Sequence, residues 1–220
     1  MDLAIMGLEV VPPVALDHRA EQRRRILAAA IACFSRDGFH GTSMQQICTE
    51  AGMSPGALYR YFPSKESIIG AIVEGERADR AQMFEQVDKA PNLIDGLTEC
   101  VAEMLSEDGL PCAKLGPEIM AEAIRNDRLR EALEPVEEET RGMLRAALLQ
   151  AQEKGEIDPS LDPQDLVILL QVIGDGLILH NLLHPEWKLI QRLPALSTLV
   201  RRMMSPAGHT VGEPAKGEDA

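Results

Sequence analysis

Aromatic side chains are scarce in this chain of 220 residues: one Trp, two Tyr and four Phe. Strands draw heavily on aromatic residues, so this shortage, beside 45% apolar residues, predicts a helical protein. Cysteine is also sparse. Cys33, Cys48, Cys100 and Cys112 lie far apart, with no CxxC pair and no histidine at metal-ligand spacing. That pattern argues against a disulfide framework or a zinc module and fits a reduced, cytoplasmic chain; neither metal nor cofactor is implied. The N-terminus "MDLAIMGLEVVPP" lacks the Lys and Arg of a secretory signal. One segment, Asp165 to Leu183, approaches membrane-span length, but Gln171, Asp175 and His180 interrupt it. An aspartate at the bilayer centre costs roughly 2.5–3.5 kcal/mol, so a buried helix is expected and no membrane partner.

Positive charge is short overall, with a formal net charge of -13, but it is unevenly spread. From His18 to Lys65 seven basic residues meet three acids, a surplus of +4, whereas residues 66–220 carry -14. Such polarity suits a nucleic-acid contact at one end of an acidic body. Two merely solvated surfaces would also produce it.

Apolar spacing reads as helix nearly throughout. Ile26, Ala30, Cys33 and Phe34 share a face of a first helix running from about Asp17 to Asp37. Ser43 and Gln46 form a capping box for a short second helix, whose apolar face is Met44, Ile47, Cys48 and Ala51. Gly52 then tolerates a left-handed backbone, Ser54 is placed to cap a third helix with Pro55 at its first position, and Ser64 starts a fourth after Pro63. Ile68, Ile69, Ile72 and Val73 form its inner face. Longer helices follow, with breaks predicted at Ala90-Pro91, Gly109 to Pro111, Asn126-Asp127, Gly155 to Ser160 and His184-Pro185. Val136, Thr140, Met143, Ala147 and Ala151 stripe one long helix that Pro135 kinks or starts. A penultimate helix is capped by Asp162 ahead of Pro163, and a last one runs from about Glu186 to Met204. The stretch "SPAGHTVGEPAKGEDA" is too polar and Gly/Pro-rich to pack.

Two short helices joined at Ala51-Gly52-Met53, flanked by a third and a fourth, make a helix-turn-helix, whose second helix enters the major groove by its N-terminal end. Here that end is Ser54, Pro55, Gly56 and Ala57, all small, so backbone can approach DNA closely. Tyr59 and Tyr61 offer hydroxyls to phosphate, and Lys65 stands at a helix N-terminus, where anions are favoured. Arg19, Arg23, Arg24 and Arg25 are either a solvated helix face or a minor-groove arm.

Residues 25–72, "RILAAAIACFSRDGFHGTSMQQICTEAGMSPGALYRYFPSKESIIGAI", resemble the DNA-binding domain of the TetR family of bacterial transcriptional regulators. The resemblance covers about a fifth of the chain; the remainder is similar only in length and helical succession. It implies that Thr42 and Ser43 open the second helix against phosphate, that Gln45 reaches a base edge, and that Ser54, Pro55, Gly56 and Tyr59 contact bases or backbone. Tyr61 and Lys65 are then on phosphate. Met53 replaces the usual Val and Met44 an often polar residue, so sequence preference rests more on Gln45 and DNA shape.

The expected fold is all-α: an N-terminal three-helix helix-turn-helix domain (18–66) after a flexible extension (1–17), then a larger helical ligand-binding and dimerisation domain (67–204) and a disordered tail (205–220). A helix apolar nearly all round must be covered on several sides, which makes Leu166, Leu170, Ile173 and Leu177, with Trp187 and Leu199 further on, candidates for pairing with a second copy. The centre of one subunit's core is the alternative. The resemblance implies a homodimer with its last two helices in a four-helix bundle, a double-stranded DNA operator, and a pocket for a small effector. Met104, Met120, Ile124 and Met143 are adaptable lining for a lipophilic effector, with Gln171 and Asp175 as polar handles. Each handle is equally a candidate for a hydrogen-bonded core residue. A repressor released by that effector is the leading reading. A regulator whose C-terminal domain binds a protein is the alternative, and no nucleophile-base pair or phosphate loop marks an enzyme.

Overall fold

The computed structural model describes residues 13–106 and 111–206. Most of the expected N-terminal extension and C-terminal tail, and the Gly109-Leu110 part of a predicted break, lie outside them.

Among the described residues there are ten α-helices, one 3-10 turn and no strand. Helix α1 spans Pro13–Gly41 but is interrupted at Gly38, whose φ of 72° and ψ of 169° suit glycine alone. Helices α2 (Met44–Glu50), α3 (Pro55–Tyr61) and α4 (Lys65–Gly75) follow as predicted. The chain then breaks at Glu76 before α5 (Arg77–Lys89), where the sequence pattern had continued unbroken; Gly75 is the weak point in that run. Next come α6 (Leu93–Leu105), α7 (Pro111–Ala123) and α8 (Asp127–Glu153). Pro135 does not start α8, because Asn126 Oδ1 accepts the Leu129 N–H (3.3 Å) and caps the helix a full two turns earlier. Helix α9 (Pro163–Leu183) begins at the Asp162 cap, and α10 (Leu189–Met204) follows a 3-10 turn, Pro185–Trp187. Lys188, left-handed at φ 49°, separates that turn from α10 and delays the last helix beyond its expected start.

The chain divides into two compact units. The first holds the residues up to Val73 together with Glu118–Ala132, so it recruits the end of α7 and the start of α8 to the expected 18–66 domain. Within it α1 packs on α2, and α2 on α3. Ile26, Ala30, Cys33, Phe34, Phe39, Ile47, Leu58 and Phe62 are all buried there. The second unit comprises Glu74–Pro117 and the residues from Leu133 on. Its core joins Val87, Leu93, Ile94, Leu144, Leu148, Ile157, Leu166, Val167 and Met204. Arg201 ties α10 to the start of α6, donating to Asn92 Oδ1 (2.9 Å) and Asp95 Oδ1 (2.5 Å).

Candidate nucleic-acid interface

Local chemistry sets the two reader helices. Ser43 Oγ accepts the Gln46 N–H (3.2 Å) while Gln46 Oε1 accepts the Ser43 N–H (2.7 Å), the reciprocal cap predicted for α2. At the other end Gly52 takes φ 61° and turns the chain. Ser54 Oγ then accepts the Ala57 N–H (3.3 Å) with Pro55 at the first helical position. Each such cap contributes about 1 kcal/mol. Leu58 and Phe62 anchor α3 in the core, which leaves its leading edge outward. Ser54, Pro55, Gly56 and Tyr59 are exposed, as are Ser43 and Gln45 on α2; Tyr61 is half-buried. A methyl group built on Gly56 would meet nothing within 4 Å, so the edge is open as well as slim.

Two of the residues expected at phosphate are placed differently. Thr42 is 1% exposed and its hydroxyl donates to Gly38 O (2.8 Å), because the chain must close over the Gly38 break. Lys65 is half-buried, and its ammonium donates to Phe39 O (2.5 Å) and Thr42 O (2.7 Å). The arginine run lies on an exposed helix face, the first of its two readings, with partners of its own. Arg25 donates to Ala51 O, Arg23 lies over the Phe62 ring at 4.9 Å, and Arg24 pairs with Glu21 at 2.9 Å. The sequence reading puts Thr42 and Lys65 at phosphate and leaves the arginines between a solvated helix face and a minor-groove arm. It could not show carbonyls and rings from distant positions meeting them.

Helix α7 supports the same corner. Glu118 Oε2 accepts the Phe39 N–H (3.3 Å), and Glu122 Oε2 lies 2.8 Å from His40 Nε2, without hydrogen-bond alignment. Asn126 Nδ2 donates to both Glu66 Oε1 (3.2 Å) and Glu122 Oε1 (3.0 Å). Burial raises the Glu66 carboxyl, but hydrogen bonds from Ser64, its own backbone and Asn126 outweigh that and hold it below its ordinary range. None of these α7 contacts carries a spacing signal in the sequence.

The residues expected to line a ligand pocket are dispersed. Met120 and Ile124 fall in the first unit, with Ile124 80% exposed, whereas Met104, Met143, Gln171 and Asp175 fall in the second. Helical periodicity groups residues by face and cannot assign them to units. Met104, Met143 and Asp175 are half-buried and Gln171 is exposed. Burial, with the Glu137 charge second, pushes the Asp175 carboxyl up. A crevice at Val87, Ala90, Asn92 and Ala151 holds only about 10 Å³, room for no more than water.

The expected pairing residues also separate. Leu166 is buried within its own subunit's core, so it is not available to a second copy. Leu170 packs on that core, and Leu177 packs on the smaller cluster of Leu105, Leu189 and Leu193. Ile173 is half-buried, while Trp187 and Leu199 are exposed. Within a single copy α9 is covered on one side only. Ile168, Val172 (63% exposed), Leu179, Leu182 and Leu183 remain open along α9, joined on α10 by Leu199 (55%) and Met203. By length and composition alone α9 could also cross a membrane.

Residues 26–72 match the family described as bacterial regulatory proteins, tetR family, and residues 93–204 match the C-terminal domain described as BetI-type transcriptional repressor. The HTH-type transcriptional regulator UidR of Escherichia coli K12 is 34% identical over 140 residues, covering 64% of this chain and 71% of that one. Among solved structures, GusR of Salmonella enterica superposes with a TM-score of 0.72 at 32% identity, covering 89% of this chain and 96% of that one. The SmeT–triclosan complex superposes with a TM-score of 0.69 at 25% identity, covering 90% and 100%. The reader geometry and these matches together identify the chain as a member of the TetR family of DNA-binding transcriptional regulators.

Proposed function

We propose that the protein is a homodimeric repressor that reads a palindromic operator through α2 and α3 and leaves it when a small lipophilic effector binds. The observation that carries this reading is the open leading edge of α3, where capped, small residues surround Gly56 with nothing within 4 Å of its missing side chain. Ser54, Pro55 and Gly56 approach the groove floor, Ser43, Tyr59 and Tyr61 hold phosphate oxygens, and Gln45 reaches a base edge, its amide able to pair bidentately with adenine.

Reading both halves of a palindrome about 34–36 Å apart needs two copies. Ile168, Val172, Leu179 and Leu182 on α9, with Leu199 and Met203 on α10, offer an apolar surface that a second copy covers. Lipophilic control is supported by the relative solved with triclosan. Met104 and Met143, with Asp175 as handle, are the lining in the second unit.

The test is selection of duplexes from a random pool, followed by release assays with a lipophile library. Enrichment of an inverted repeat, bound two copies per site and released by a compound that also raises Tm, is the expected result. Enrichment without any releasing compound would move control to a protein partner. Failure to enrich any duplex would remove the proposal.

A further inference from the structure

The capping box at Ser43 fixes the direction of an amide as well as the start of a helix. The Ser43 N–H lies 2.7 Å from one amide atom of Gln46 and can only donate, so that atom is the carbonyl oxygen, Oε1. The Ser43 hydroxyl donates to the same oxygen at 2.7 Å, while its own oxygen accepts the Gln46 N–H. Both lone pairs of Oε1 are thus in use. The amide is held with its nitrogen, Nε2, turned away from Ser43, and among the described residues no acceptor takes either of its hydrogens.

Gln46 is also exposed. Along α2, Ile47 and Cys48 are buried, whereas Gln45, Gln46 and Thr49 face outward. Successive residues of a helix are turned by about 100°, so with Gln45 directed at the base edges its neighbour Gln46 faces the phosphate wall of the groove. Amide side chains are among the usual donors to phosphate oxygens there. A glutamate in place of Gln46 would complete the same reciprocal cap, but it has no hydrogen to give and carries the sign of the phosphate. Glutamine supplies an oxygen to the cap and a nitrogen to DNA.

We infer that Gln46, besides capping α2, donates through Nε2 to a DNA phosphate oxygen, adding a contact next to those of Ser43 and Gln45. The donor is this side-chain amide, not the backbone N–H groups of a helix only seven residues long. The inference rests on the proposed DNA reading and adds one residue to it. Phosphate contacts fix the register of a protein on the duplex and carry no base preference, so Gln46 anchors α2 while the choice of base stays with Gln45.

The experiment takes a duplex that the wild-type protein selects from a random pool and remakes it with a neutral methylphosphonate linkage at each position in turn. Wild type is compared with Gln46→Glu, with Gln46→Met, and with Thr49→Glu, which puts the same charge further along the exposed side of α2. Gln46→Glu should keep wild-type helicity and Tm, because the cap survives, and should bind the unmodified duplex about tenfold or more weakly. At one linkage in each half-site the neutral group should weaken wild type and strengthen Gln46→Glu, since it removes an acceptor from the first and a repulsion from the second. Thr49→Glu should show no such reversal. Gln46→Met, which tests the contact without a charge, should be indifferent at that linkage. If no linkage reverses sign between wild type and Gln46→Glu, or if Gln46→Met loses affinity at every linkage as wild type does, Gln46 only caps α2 and the inference is wrong. A wild-type protein that enriches no duplex would overturn the DNA reading itself, and this role with it, before any variant is compared.

Discussion

The Arg25 guanidinium donates to the carbonyl of Ala51, joining α1 to the turn between the two reader helices across 26 positions of sequence. It also stands 3.2 Å from where a side chain on Gly52 would begin, so the turn and the arginine fit one another. Arg60, on α3 itself, is exposed and has no hydrogen-bond or ion-pair partner among the described residues. The two arginines should therefore answer differently to removal. Arg25→Met should cost about 1 kcal/mol of stability in urea unfolding and leave the salt slope of DNA binding unchanged. Arg60→Ala should leave stability unchanged and lower that slope by about one per bound protomer.

Gly56→Leu should fold normally, since open space surrounds the position. Its isobutyl group would stand on the leading edge of α3 and hold the helix off the groove floor. Circular dichroism and Tm should match wild type, while operator affinity falls by about a hundredfold or more, to the level of non-specific binding. Normal operator binding by this variant would mean that α3 does not enter the groove by its N-terminal end.

Gly38 holds φ 72° and ψ 169°, a region closed to residues with a Cβ. Gly38→Ala should cost about 1–3 kcal/mol from backbone strain, seen as a lower urea midpoint with unchanged slope. The added methyl itself meets only ordinary contact, 3.5 Å from Glu118 Oε2, so any loss reports backbone conformation rather than crowding.

Asp175 has its carboxyl pushed up from its ordinary value, by burial first and by Glu137 second. A folded-state pKa above the unfolded one means that the native state favours the protonated acid. That contribution is complete below the ordinary carboxylate range and is lost as pH rises through the folded pKa, so at neutral pH the ionised group is a net cost. Asp175→Asn should raise Tm at pH 7, and the advantage should shrink as pH falls toward the carboxylate range. An advantage that grows on acidification would reverse the sign of the assigned shift.

Val172 is 63% exposed on the open face of α9, so a charge there costs a single subunit little. Within a paired face it would be desolvated. Val172→Glu should raise the concentration at which sedimentation shows half-dissociation by about a hundredfold, with helicity unchanged. A variant that sediments as wild type would place the contact between copies elsewhere.

Much of the reader was legible because its signals are local. The Ser43–Gln46 box, the left-handed Gly52 and the Ser54–Pro55 start each involve residues within a few positions of one another, and each stands in the structure as its residue types predict. The break at Asn126-Asp127 was legible too, and of the two roles left open for Pro135 the structure removes the start, because Asn126 caps α8 and the helix runs on through Pro135. Leu166 was misassigned because apolar periodicity marks which face is buried without saying whether the cover comes from the same chain.

The order of helices, the slim leading edge of α3 and the split between a basic start and an acidic remainder were settled by the amino-acid sequence itself, since caps, turn residues and charge act over one or two turns. Only the tertiary structure decided that exposed Arg23 and Arg25 and half-buried Lys65 find a ring and backbone carbonyls of the reader as partners, that α7 braces the corner after Gly38, and that α9 keeps an apolar side open. The physical reason is range. A cation's identity is written at one position, but the carbonyl or ring that claims it comes from another helix, and packing alone brings the two within hydrogen-bond distance.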